Sequence, residues 1–385
     1  MSVIADLPDI RPSLLLDFAN SRRVHPLIQC VRASTATCFG SDGKLRTVAA
    51  NVPRVEFDSM SGKCLGFLIE EARTNLITFS QTLGNAAWAK SANAVVTEDN
   101  AVAPDGTSTA DTVVSSGGAV STNRIQQFTN YAVTVGVVAT FSVWLRADAP
   151  FTSGLRLANQ GDGDGVNQSV DVTTAWQRFS ITQTFTGAST QIRCCIASSS
   201  NNGTLQAWGA QLEIGAFPSS YIPTTSAAVT RAADLIDLDY TLPAVGAVVS
   251  AVAGISSAST SNAYVWSAIN PADNSADHAY FYYPGGTQST NWWVNKGGVG
   301  QSGGNVLGRR QSAGFNFDAS VKSAAIASGS LLFEDTTRPR DFPSNLSRLM
   351  LGRSRANAGF LNGCISRLAV YSSRITNAQL QRLTA

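Results

Sequence analysis

Six Glu and five Lys in 385 residues leave this chain little with which to cover a solvated helix face. Charged residues make up 14% of it, against roughly 25% in ordinary globular proteins. The charge that remains is mostly Arg (23) and Asp (20). Gly numbers 32 among abundant Ser, Thr, Val and Ala, a composition suited to short strands joined by tight turns. Hydrophobic residues at 44% suffice for full cores, and the length implies two or three of them. The expected fold is all-β: two antiparallel β-sandwich (jelly-roll) domains preceded by an extended β-rich N-terminal arm.

The net charge of +2 argues against bulk electrostatic binding to nucleic acid or to a membrane surface. No run of about 18 apolar residues is present, so no membrane insertion is expected. The start, MSVIADLPDIRPS, carries acids and prolines where a secretory signal has a basic and then an apolar stretch, which points to synthesis in a cytoplasm. Cys30, Cys38, Cys64, Cys194, Cys195 and Cys364 include no C-x-x-C spacing. They read as small apolar residues rather than as disulfides or zinc ligands.

Composition divides the chain into three segments. Residues 1–76 contain a strand at 13–18, a hairpin over 36–48 turning at Gly40-Ser41-Asp42-Gly43, and an apolar run at 64–70. This is too little for a separate core, so the segment reads as an arm that pairs with the rest of the chain or anchors on a neighbouring protein. Residues 77–230 alternate apolar and polar positions at 139–146, 177–182, 191–196 and 205–214. Residues 231–385 continue in the same way at 264–269, 279–283, 291–295, 331–333, 348–352 and 364–371. Thr376 and Gln379 then form a capping box for one short terminal helix.

Several motifs carry family likenesses. Thr74-Asn75-Leu76-Ile77, Asn85-Ala86-Ala87-Trp88, the run Ala103 to Asp111, Thr174-Ala175-Trp176-Gln177-Arg178 and the long run Trp208 to Thr225 together resemble the carbohydrate-binding-module-like jelly roll of tailed-bacteriophage structural proteins. Leu68 to Leu76 resembles the entry to such domains in phage spikes and fibres. Leu349-Met350-Leu351-Gly352-Arg353, Phe360 to Tyr371 and the capped helix resemble the closing strands of a concanavalin-A-like, laminin-G-like sandwich. These resemblances imply a virion surface protein, made in the cytoplasm of a bacterial host. It would be a spike, fibre or tail adhesin that binds host-surface polysaccharide. Its arm would meet other virion proteins, and its state would be a homotrimer. A head decoration or cement protein and a polysaccharide depolymerase are the alternatives.

The common catalytic arrangements are scarce. Only His25 and His278 could serve a nucleophilic triad, and no P-loop or zinc signature occurs. His278 reads as a loop or edge histidine. Glycosidases need paired carboxylates. The last segment has one Glu, Glu334, followed by Asp335, and so departs from the E-x-D-x-E strand of hydrolases related to concanavalin A. Asp273 with Asp277, or Asp237 with Asp239, are the pairs that remain. No catalytic residue and no cofactor are expected. Asp162 and Asp164 could offer oxygens to calcium, or could simply form a turn.

Strand parity suggests where a sugar could lie. If the strands near 143, 156, 192 and 211 share one sheet, its outer face carries Trp144, Arg146, Arg156, Arg193, Gln211 and Glu213. Such a face could bind glycan, could be ordinary solvated sheet, or could be a subunit contact. Trp176 and Trp208 are expected in the core. The second candidate is aromatic: Tyr280 and Tyr282 point one way along their strand, and Trp292 and Trp293 split between faces. From Arg338 onward, eight Arg stand against the single acid Asp341, which suits an acidic virion neighbour or an anionic polysaccharide.

Overall fold

Alternating sequences give alternating burial in strands such as Ser289–Lys296, while Val138–Arg146 and Ile192–Ile196 are covered on both faces. The computed structural model describes residues 11–119, 122–161, 163–197, 201–253, 261–272, 277–285, 289–307, 312–318, 323–328, 330–335 and 342–385. Strands dominate, all of them paired antiparallel, and the described helices are Phe18–Ser21 and Asn377–Leu383. The second of these carries the expected Thr376–Gln379 capping box.

Two five-stranded sheets face each other in the middle of the chain. One has the order Gln177–Thr184, Val138–Arg146, Asn202–Ile214, Ala110–Ser116, Ala94–Ala101. The other has the order Gly165–Val172, Phe151–Asn159, Ile192–Ile196, Ile125–Thr129, Ala89–Lys90. Phe141, Val143 and Leu145 from the first sheet meet Leu155, Leu157, Ile192, Cys194 and Ile196 from the second in a closed core. This is the jelly roll.

A larger sandwich takes strands from both ends of the chain. Its seven-stranded sheet runs Ile28–Val31, Leu235–Asp239, Arg348–Leu351, Ala263–Ile269, His278–Tyr283, Ser289–Lys296, Val299–Leu307. The eight-stranded sheet opposite is centred on Val245–Ala253 and Gly363–Tyr371, and includes Leu14–Asp17, Arg54–Phe57 and Cys64–Ile69. Residues of the first segment therefore pair within their own chain. Leu14, Leu16, Phe18, Phe67 and Ile69 enter the core formed by Ile236, Trp266, Phe281 and Trp292. The segment lacks a core of its own and borrows this one.

The hairpin of the first segment forms at its expected turn, with Gly43 at φ 71°. It docks elsewhere: Leu45 and Phe39 pack on the outer face of the jelly-roll sheet, against Trp144, Trp208 and Tyr221. Trp208 reaches that face because the strand pairing shifts there. Ser142 lies opposite Gln211 but Trp144 opposite Trp208, and Gly209 takes φ +66°. A Cβ at Gly209 would lie 2.8 Å from the Trp144 ring. Gly209→Ala is expected to cost about 2 kcal/mol through the left-handed backbone and the displaced indole, measured as a lower midpoint in urea unfolding.

Five buried charges close the junction. Asp234 accepts from Arg32 at 2.8 Å and from Arg54 at 2.5 Å, and the Glu70 backbone N–H donates to it at 2.9 Å. Glu70 pairs with Arg54 at 2.8 Å and Arg231 at 3.5 Å, and accepts from the Ser220 N–H at 2.7 Å and hydroxyl at 2.6 Å. Burial opposes the Glu70 charge, but Arg231, Arg54 and Ser220 overcome it and hold the carboxyl down at about 2.

Candidate functional site

The seven-stranded sheet has one face in the core and one outside. Inward go Phe281, Tyr283, Trp292 and Val294. Outward on the same strands go Tyr280, Tyr282 and Trp293, each half-buried. Tyr264 joins them because the pairing shifts between Tyr264 and Trp266, which puts Val265 and Trp266 together in the core. Register places Tyr280 beside Trp293, Tyr282 between Tyr264 and Asn291, and His278 beside Asn295.

The rings form one strip. Tyr264 stacks on Tyr282 at 5.2 Å and 23°, meets Tyr280 edge-on at 5.3 Å, and Tyr280 lies 4.8 Å from His278. The Trp293 ring covers Gly300, where a Cβ would collide with it. The strip is uncharged. Burial, and then Arg355, push His278 down to about 4, so it is neutral at pH 7. Burial raises the Tyr280 phenol to about 12, and Arg355 hydrogen-bonds it.

Beside the strip, on the same face, lies a depression of about 290 Å³ lined by Gln29, Asp237, Arg348, Met350, Arg353 and Arg355. Asp237 in its wall and Asp239 next to it are both engaged. Arg353 bridges Asp237 and Asn357, and Asp239 accepts from Gln29 at 3.1 Å with Arg348 at 4.0 Å. Asp277 caps a turn, accepting from the Gly297 N–H at 2.9 Å and Asn345 at 2.7 Å; these bonds hold it below the usual carboxylate range. Glu334 ties the terminal helix, at 2.6 Å from Arg374 and 2.8 Å from Asn377. The face thus offers ring faces, side-chain amides and guanidinium groups. Asp273 and Asp341 lie outside the described residues.

Of the residues singled out in the sequence, Tyr280, Tyr282 and Trp293 come together here, while Trp292 is fully buried in the core. The other six do not share a face. Trp144, Arg146, Gln211 and Glu213 stand on one jelly-roll sheet, Arg156 and Arg193 on the opposite one. Trp144 is buried beneath the hairpin. Gln211 and Glu213 are fully buried and bind the loop at Ser219 to Ile222. Arg146 lies over Trp176 at 5.3 Å, and Arg193 over Phe128 at 5.7 Å. Parity fixed which way each side chain points along its strand, but not which sheet the strand joins.

His278, read in the sequence as a loop or edge histidine, is the first residue of a strand and is buried against Tyr280. Asp164 caps a turn, accepting from Thr186 and Gly187 N–H groups at 2.6 and 2.9 Å and from Gln183 at 2.8 Å. Asp162 lies outside the described residues. Sequence reasoning missed Tyr264, Arg353 and Arg355 as members of the face. The alternation Tyr264-Val265-Trp266 was visible, but its bulge was not.

No protein-family model matches the chain, and no curated protein matches it. Solved structures give weak likenesses. The carbohydrate-binding module CBM40 of the Ruminococcus gnavus IT-sialidase, bound to α2,6-sialyllactose, is 13% identical over 37% of this chain and 85% of that one, with a TM-score of 0.32. The tailspike protein 4 enzymatically active domain of bacteriophage CBA120 is 12% identical over 37% of this chain and 21% of that one, with a TM-score of 0.29. Domains LG4-5 of the mouse laminin α1 chain are 8% identical over 84% of this chain and 96% of that one, with a TM-score of 0.24.

Proposed function

We propose that this protein binds glycans without cleaving them, through the outer face of the seven-stranded sheet, and that it does so as a surface spike, fibre or tail adhesin of a bacteriophage virion. The observation that carries the binding reading is the strip of Tyr264, Tyr280, Tyr282 and Trp293 beside Asn291, Asn295 and Arg355. Flat rings pack against the apolar faces of a sugar, while the amides and the guanidinium receive its hydroxyls. The reading of binding without cleavage is supported by the state of the described neighbouring acids. Asp237, Asp239 and Asp277 are each hydrogen-bonded or ion-paired, so among these described acids none forms a proton donor opposite a free carboxylate. The virion setting rests on the sequence resemblances. In it the protein acts as a homotrimer alongside other virion proteins.

The test is an array of bacterial surface polysaccharides and O-antigens probed with the purified chain. Retention of at least one glycan, with its chain length unchanged afterwards, is the expected result. Shortening of the retained polymer would convert the reading to a depolymerase. Retention of none would remove the binding claim.

A further inference from the structure

A second cavity, of about 330 Å³, lies between the hairpin of the first segment, the outer face of the jelly-roll sheet and the strand at Gly363 and Cys364. Its walls are mainly apolar, with Phe39, Leu65, Leu68, Trp144 and Phe217 among them, and Glu56, Glu70 and Arg178 are the charged residues that reach it. Arg178 donates to the Ser219 carbonyl at 2.6 Å and the Ser142 hydroxyl at 2.9 Å, and lies 4.4 Å over the Trp144 ring. Its Nε is buried with no hydrogen-bond partner, and the Glu213 and Glu70 carboxylates act on its charge through space.

The nearby acids make their direct hydrogen bonds to other groups. Glu213 accepts from the Ser219 N–H at 3.0 Å and from its hydroxyl. Glu70 belongs to Arg54, Arg231 and Ser220. Glu56 receives only the Phe39 N–H, at 3.3 Å, and burial pushes its carboxyl up to about 8, so at pH 7 it is a neutral group able to donate. The cavity therefore presents one half-buried guanidinium whose direct hydrogen bonds go to neutral oxygens. A guanidinium placed in this way favours a charge-assisted bond to an anion.

We propose that this cavity binds a small carboxylate carried on a sugar ring or another compact apolar body. The anion pairs with Arg178, and the body lies against Trp144 and Phe217. This site is separate from the aromatic strip and does not depend on it.

Calorimetric titration of the full chain tests the proposal with sodium glucuronate and sodium benzoate as probes, and with glucose and benzyl alcohol as their uncharged counterparts. The expected result is saturable one-to-one binding of at least one acid, at least tenfold tighter than its uncharged counterpart. Glucuronate alone would identify an acidic sugar, and benzoate alone an aromatic acid. Arg178→Gln is expected to weaken binding at least tenfold. Leu65→Trp, which narrows the cavity and keeps the guanidinium, should do the same, and it decides the matter should Arg178→Gln fail to fold. Failure of both acids to bind, equal binding of the uncharged counterparts, or full affinity in a folded variant would overturn the proposal.

Discussion

Asp234→Ala is expected to cost about 3–5 kcal/mol, enough to remove most of the stability of an ordinary domain. The carboxylate is the hub of the junction. It accepts from Arg32 at 2.8 Å and Arg54 at 2.5 Å, with Arg231 at 3.9 Å, and all of these side chains are buried. Without it, Arg54 and Arg231 share Glu70, and Arg32 is left buried with backbone carbonyls alone. A buried pair contributes little when complete, because desolvation offsets the attraction, but removing one partner leaves uncompensated charge. Urea unfolding followed by tryptophan fluorescence measures the loss. Asp42→Ala is the contrasting case: its partner Arg46 and Asp42 itself are both exposed, and that variant should leave the curve in place. A shift in Asp234→Ala no larger than that of the surface variant would contradict a junction held by these charges.

The second large effect depends on pH. Glu56 faces Glu70, Arg54, Arg178 and the Phe39 N–H, and folding lifts its carboxyl from 4.5 to about 8, chiefly by burial. The folded chain therefore keeps a proton that the unfolded chain releases. The contribution is fully present below about pH 4.5, declines as pH rises toward 8, and stays lost above it. Glu56→Gln keeps the shape and removes the titration. It should be more stable than the parent chain by roughly 3–5 kcal/mol at pH 9, and nearly equal to it at pH 4. Thermal unfolding across that range measures the difference, and parallel curves would show that Glu56 is already ionised at pH 7.

The way these effects arise also shows what the sequence made legible. Phe141, Val143 and Leu145, and likewise Ile192, Cys194 and Ile196, lie inside as their alternation required. The pattern failed at bulges, because one inserted residue exchanges the two faces. Trp208 changed faces at Gly209, and Trp266 parted from Tyr264 in the same way. Long-range pairing was also hidden. Leu14–Asp17 pairs with Gly363–Tyr371 across almost the whole chain, and no periodicity records that. Arg32, Arg54 and Arg231 look like solvated charges in sequence. Their burial depends on Glu70 and Asp234, and Asp234 lies 202 residues from Arg32 and 180 from Arg54. Of the candidate site, Tyr280, Tyr282 and Trp293 were legible because neighbouring aromatic residues on a strand must divide between its faces. Arg353 and Arg355 enter from a loop whose path the strands determine.

Binding at the aromatic strip is measured most directly by titrating the array's best-retained polysaccharide onto the parent chain, Tyr282→Ala and Trp293→Ala, with Asp42→Ala as control. The proposed account predicts at least tenfold weaker binding in both aromatic variants, parent-like binding in the control, and folded spectra in all three. Parent-like affinity in folded Tyr282→Ala and Trp293→Ala would contradict it.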